Sequence, residues 1–364
     1  MRNYITFWTW ISPFAAWLLL LAVWAGFAGA GVSIGARPLV SALEAVALVA
    51  CVLAAVHHAE VVAHRVGEPF GTLVLALAVT VIEVALIVSL MLSGKDGATT
   101  LARDTIFAAV MIILNGMVGL CLLAGGSRHR EQVFGVYGVN AALTTLAALA
   151  VITMILPNTT TSVAGPFYST SQLMLVAIVS LVLYGGFLLV QTVRHREYFV
   201  AAGDEEERDH RPTRGASLAS AGLLIMCLVA VVLLAKALSP IIEGAVISAG
   251  APKAVVGIII ATIVLLPESL AALKAARQNR LQTSLNLALG SALASIGLTI
   301  PTVAIVAAAT GWRLELGLDA KGTVLLALSV ILATLSLGTG RTTVLQGLVH
   351  VVIFVVYLFT TIVP

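Results

Sequence analysis

Two glutamates stand where a carboxylate is costly. The stretch GTLVLALAVTVIEVALIVSLML, from Gly71, is apolar almost throughout, with Glu83 near its middle. The stretch AVVGIIIATIVLLPESLAAL, from Ala254, carries Glu268 in the same way. About 20 apolar residues cross a bilayer, and a charge at the centre costs at least ~2.5 kcal/mol on insertion scales. Each carboxylate must therefore be neutralised, by a proton or by a cation. Carboxylate oxygens suit hard cations, so the chemistry open to these residues is the exchange of one for the other.

The surroundings of the two glutamates repeat. Glu60 stands seven residues before Gly67, and Glu243 seven before Gly250. A proline follows each glycine by two, as Pro69 and Pro252, and opens an apolar span. Glu83 lies fourteen residues past Pro69, and Glu268 sixteen past Pro252. Five spans separate the copies. An odd number inverts the second copy, and inverted repeats bring equivalent mid-span residues to a common midplane site. Glu268 is thus the expected partner of Glu83.

Composition fixes what must hold them. The chain has 364 residues, 60% hydrophobic and 10% charged, with formal net charge +3. That is an all-α polytopic membrane protein, its lasting partner the lipid bilayer, and no basic patch points to nucleic acid. Cys51, Cys121 and Cys227 each sit alone in an apolar segment, as small core residues do. Eleven spans are expected, at 14–36, 38–63, 69–92, 104–124, 133–156, 171–193, 216–238 (with 239–250 extending it), 252–274, 283–309, 322–338 and 343–362. A break is expected near Ser239-Pro240, because proline removes a backbone donor. The start resembles a signal peptide, yet so many spans follow that it reads as a retained first helix. Trp8, Trp10 and Trp17 fit an interfacial belt.

Alternation of eleven spans places thirteen basic residues on one side and six on the other, with Lys236 inside a span. The richer side is cytoplasmic by the positive-inside rule. The N-terminus is then inside and the C-terminus outside. The expected organisation is an extra helix at 1–37, a first five-helix repeat at 38–193, an acidic linker at 194–215 and a second repeat at 216–364. The linker holds Asp204, Glu205, Glu206, Glu207 and Asp209, either as a solvated connection or as a segment that concentrates cations.

VTVIEVALIVSL around Glu83, LLPESLAALKAARQNRLQTSLNLALGSALASIGLTIP from Leu265 and the acidic linker together resemble the cation/proton exchanger family of the Ca2+:cation antiporter superfamily. The pattern is most similar to its bacterial branch of Ca2+/H+ antiporters that also accept Na+ or K+, and it covers nearly the whole chain. The resemblance implies Ca2+, Na+, K+ and H+ as transported ions, no cofactor, and Glu83 and Glu268 as cation ligands and proton acceptors. It also implies Gly290, Ser291 and Pro301 as motif positions. The family's Gly-Asn-Ala-x-Glu run is altered here: Val79 to Ile82 and Val264 to Pro267 lack the glycine and asparagine. Losing two neutral oxygen ligands fits a broader range of monovalent and divalent ions.

Further oxygens complete the expected set. Asn115 is the amide of the fourth span, Ser295 stands at the matching offset in GSALASIGL, and Ser291 lies one turn earlier. Neutral oxygens suit hard cations, though Gly290, Ser291, Ala294 and Ser295 also form a small-residue packing seam. Thr80 and Thr262 either lend hydroxyls or bond back to their own helices. Pro267 is expected to kink its helix and free carbonyl oxygens. Glu60 and Glu243 lie near helix ends, and His57, His58 and His64 are spaced near Glu60. These are a proton relay, a transition-metal site or ordinary interfacial polar residues. Glu44 and Lys236 either snorkel or pair. A cation channel would need a carbonyl filter or acidic rings, and an intramembrane enzyme a recognisable catalytic motif. Neither is visible.

Overall fold

The computed structural model describes residues 7–25, 37–67, 70–92, 98–199 and 212–363. Eleven helices follow one another: α1 (Phe7–Trp24), α2 (Arg37–Val66), α3 (Phe70–Leu92), α4 (Thr99–His129), α5 (Val136–Thr159), α6 (Thr170–Arg194), α7 (Arg214–Ser248), α8 (Ala254–Arg277), α9 (Leu281–Thr310), α10 (Ala320–Leu337) and α11 (Val344–Ile362). Ten of them are long and apolar enough to cross a membrane. The eleventh, α3, has 23 residues, about 34 Å at the helical rise. Polar caps set several of the starts. Asp319 accepts from Gly322 N–H at 2.6 Å before α10, and Ser169 and Thr343 open α6 and α11 with capping boxes, which satisfy free amides at both first turns.

The chain divides into two compact units, each drawn from both halves of the sequence. The first is Met1–Leu92 with Glu207–Gly250, and the second Ser93–Glu206 with Ala251–Pro364. In the first, α2 lies against α7 through small buried residues, among them Cys51, Ala54 and Ala55 on α2 and Cys227 and Ala230 on α7. Small side chains let helices approach closely in lipid. The fully buried His58 ties α1 to this pair. One ring nitrogen lies 3.1 Å from the Thr9 carbonyl and the other 3.4 Å from Ser220 Oγ. Trp17 Nε1 also donates to the Met226 carbonyl, at 3.2 Å. The turn glycines of the repeat share a backbone state: Gly67 has φ 77° and Gly250 φ 71°. Only glycine adopts that region at no steric cost.

In the second unit α4 is the inner helix, 89% of its apolar window being buried, and α9 is next with 67%. Helix α11 and α8 pack on α4, and α5, α6 and α8 pack on α9. Glu131–Val133 (β1) pairs antiparallel with Arg341–Thr343 (β2) at one end. At the other end Arg103 bonds to Glu315, and Asn158 Nδ2 donates to the Leu318 carbonyl at 2.5 Å. The loops after α4 and α10 thus share one side, and those after α5 and α9 share the other, as alternating spans require.

Three expectations about the spans need correction. The first span starts at Phe7 rather than at 14 and ends at Trp24, and 26–36 lie outside the described residues. Trp8 and Trp10 are exposed, but Trp17 turns inward to its hydrogen bond. Helix α7 runs unbroken through Pro240. A proline deletes one ladder bond, whereas a full break in lipid would strand several backbone groups with no water to satisfy them. The acidic residues at 204–209 lie outside the described residues.

Candidate functional site

Glu83 sits on α3 with 4% of its surface exposed, one turn from the buried Thr80. Ile82, Leu86 and Ile87, near it on the same helix, are buried as well. Glu268 sits on α8, directly after the buried Pro267, and is half-buried. Its Oε2 accepts a hydrogen bond from Ser291 Oγ of α9 at 3.2 Å. The structure therefore brings together two residues that the sequence singled out separately. Ser291 is half-buried, and Ser295 lies one turn below it, 2% exposed. A Cβ added to Gly290, the residue before Ser291, would meet nothing within 4 Å.

Asn115 is held differently. Helix α4 widens into a π-helical turn over Ile112–Met117, a device found often at functional positions. The turn aims the Asn115 amide into the second unit, where it is fully buried. Its Nδ2 donates to Ser329 Oγ of α10 at 2.7 Å and touches Met111 Sδ at 3.8 Å. Ser329 Oγ in turn donates to the Leu325 carbonyl at 2.7 Å. Asn115 Oδ1 lies 3.2 Å from Nδ1 of the fully buried His350, on α11. The other ring nitrogen of His350, Nε2, is buried without a hydrogen-bond partner among the described residues. The amide oxygen expected to face a cation thus faces His350 in this conformation. Neither Ser329 nor His350 was marked by the sequence, because a serine or a histidine on a lipid-length helix carries no local pattern.

The accessory residues separate as well. Thr262 is exposed and bonds back to the Ile258 carbonyl at 2.7 Å. Glu60 is exposed and Glu243 half-buried. His57 is half-buried and packs edge-on against His58, their ring centroids 5.6 Å apart. His58 is committed to Thr9 and Ser220. Glu44 is buried and Lys236 exposed. Among the described residues no three histidine, cysteine, aspartate or glutamate side chains gather as a metal cluster would. All three cysteines are free and buried.

A family model for sodium/calcium exchanger proteins matches residues 14–193 and 219–363. The chain is 48% identical to y4hA of Sinorhizobium fredii, whose name assigns it to ionic transport, over 99% of this chain and 97% of that protein. It is 39% identical to the sodium-potassium/proton antiporter ChaA of Escherichia coli, over 89% of each. Its fold matches the crystal structure of the H+/Ca2+ exchanger CAX with TM-score 0.71 at 16% identity, covering 96% of this chain and 88% of that one.

Proposed function

The chain belongs to the sodium/calcium exchanger family, and from that premise we propose that it is an antiporter exporting Ca2+ and Na+ or K+ in exchange for H+. The family makes it a membrane ion transporter and not an enzyme. That ChaA and CAX are both named for proton exchange supports protons as the counter-ion. The observation that carries the reading is the half-buried Glu268 of α8, hydrogen-bonded to Ser291 of α9. By its offset from Pro69 in the sequence, Glu83 is the counterpart of Glu268 in the other repeat.

In this reading the two glutamates form one midplane site. With the site open to the cytoplasm they bind the cation and release protons. With it open outward they take protons and release the cation. The ionised empty site is too costly in low dielectric to reorient, so transport is coupled. Ca2+ exchanges for at least two protons, and Na+ or K+ for at least one. Exporting Ca2+ against 100 mV costs about 4.6 kcal/mol at about 2.3 per charge, so inward protons must drive it. Ser291 and Ser295 lend neutral oxygens, and Asn115 orients α4 and its neighbours. The location proposed is the bacterial inner membrane with a cytoplasmic N-terminus, supported by the excess of basic residues on one set of loops.

A monovalent-only Na+(K+)/H+ exchanger is the second reading. It is favoured by the missing asparagines before both glutamates and by the likeness to ChaA. Proton flux from vesicles of purified protein, on addition of Ca2+, Na+ or K+ in turn, separates the two. Flux with Na+ and K+ but none with Ca2+ selects the second reading. Flux with none of them refutes both.

A further inference from the structure

At the end of the second unit that carries β1 and β2, a cavity of about 650 Å³ lies between the last turns of α4 and α8. Arg128 and His129 line it from α4, and Leu270, Leu273, Lys274 and Arg277 from α8. We infer that this cavity binds the headgroup of an anionic phospholipid, with the first carbons of its acyl chains against the leucines.

The helix surface sets the depth. Leu270, Lys274 and Arg277 follow one another at i, i+4 and i+7, on one stripe of α8, and all three are exposed. The stripe changes from apolar to basic within a turn. Helix α4 makes the same change over about two turns, between the exposed Leu120 and Arg128. That change marks the boundary between hydrocarbon and headgroups, where long basic side chains reach toward water.

Among the described residues Arg128, Lys274 and Arg277 enter no ion pair, and the nearby Glu131 faces Arg341 at 3.4 Å. Two helix C-termini contribute about −0.5 each, against three full positive charges. The wall is also fixed before any ligand arrives. His129 Nε2 meets the Arg277 carbonyl at 3.0 Å, and Gln132 Nε2 donates to the Ala276 carbonyl at 2.9 Å. Both bonds fasten the end of α8 to the α4 side. A free phosphate would answer the basic groups but leave Leu270 and Leu273 without a partner. An anionic lipid answers both. Lys274 lies six residues beyond Glu268 on the same helix, about 9 Å along its axis, so the lipid would steady the helix that carries a transport carboxylate.

The test uses the full-length protein in detergent, with thermal unfolding and native mass spectrometry as readouts. Cardiolipin and phosphatidylglycerol should raise the unfolding midpoint and remain bound. Phosphatidylcholine with the same chains, and inorganic phosphate, should do neither. Apparent lipid affinity should fall about fivefold for each of Arg128→Gln, Lys274→Gln and Arg277→Gln, and on the order of a hundredfold for all three together. Equal stabilisation by phosphatidylcholine overturns the proposal, as does stabilisation by inorganic phosphate alone or wild-type affinity in the triple variant. Should the triple variant not fold, raising salt from about 0.05 to about 0.5 M on the wild type decides. Lipid retention must then fall, and retention insensitive to salt overturns the inference.

Discussion

Glu268 and Asn115 are both polar residues on apolar helices of the second unit, yet they are kept in opposite ways. Glu268 is half-buried and accepts a hydrogen bond from the Ser291 hydroxyl, next to Gly290, where an added Cβ would meet nothing within 4 Å. Asn115 is sealed, its nitrogen given to Ser329 and its oxygen to His350. A site that exchanges ions needs oxygen lone pairs a cation can reach and a path by which protons leave. A buried amide with both ends engaged has neither, and what it does well is fix three helices in register. On this comparison, substitution at Glu268 should remove transport, and substitution at Asn115 should remove stability.

The largest effect belongs to the carboxylates. Glu83→Gln and Glu268→Gln should each abolish cation-driven proton flux while leaving the protein folded, since the amide keeps an oxygen but carries no titratable proton. Flux and thermal midpoint measured together check this, and normal antiport in either variant would erase the contrast. Ser291→Ala should act in the same sense but more weakly. A hydrogen bond to a charged group is worth about 1.5–3 kcal/mol, and partial exposure places this one at the low end. Apparent cation affinity should then fall about tenfold with the maximal rate nearly kept. In the proposed mechanism cation and protons compete for the same carboxylates, so wild-type affinity should also rise with pH until both are ionised. An affinity flat across roughly pH 6 to 9 would mean separate sites for the two substrates.

The Asn115 cluster should answer in stability. Asn115→Leu takes from His350 its partner, while Ser329 keeps its bond to the Leu325 carbonyl, and an unsatisfied buried polar group costs about 1–3 kcal/mol. The unfolding midpoint should drop, while the order of preference among Ca2+, Na+ and K+ stays. Adding His350→Leu removes one orphan, so the double variant should lose less than the sum of the singles. A changed ion order in Asn115→Leu would move that residue from packing to ligation.

Much of this arrangement was legible in the sequence because membrane crossing leaves a coarse signal. Eleven apolar runs, the glutamates within two of them and the turn glycines of the repeat follow from length, hydropathy and offset alone. The positive φ at Gly67 and Gly250 is the backbone counterpart of that repeat. Illegible were the contacts made by chain reversal over hundreds of residues: Ser329 and His350 against Asn115, and β1 against β2. No local pattern encodes them. The π turn in α4 is illegible for a related reason, since MIILNGMV is as compatible with a regular helix. The predicted break at Pro240 failed because a proline rule drawn from water overlooks how costly a broken ladder is in lipid.

Two glycines on α9 give the smallest effect and the finest test of the comparison. A Cβ built on Gly297 would lie 2.6 Å from Cβ of Tyr184 on α6, a side chain itself buried at 4% exposure. Neither helix has slack there, so Gly297→Ala should cost about 1–3 kcal/mol. Seven residues earlier, next to Ser291, a Cβ on Gly290 would meet nothing within 4 Å. If that space serves packing, Gly290→Ala changes the stability by less than about 1 kcal/mol, on the favourable side, since alanine suits a helix interior better. If the space belongs to the ion, the same methyl group leaves the unfolding midpoint where it was and weakens cation affinity. The reading of Glu268 and Ser291 as an open site requires the second result: an unchanged midpoint with apparent affinity lowered two- to threefold, at about 0.6 kcal/mol or less. Unchanged affinity would show that the space at Gly290 is not part of the ion's path.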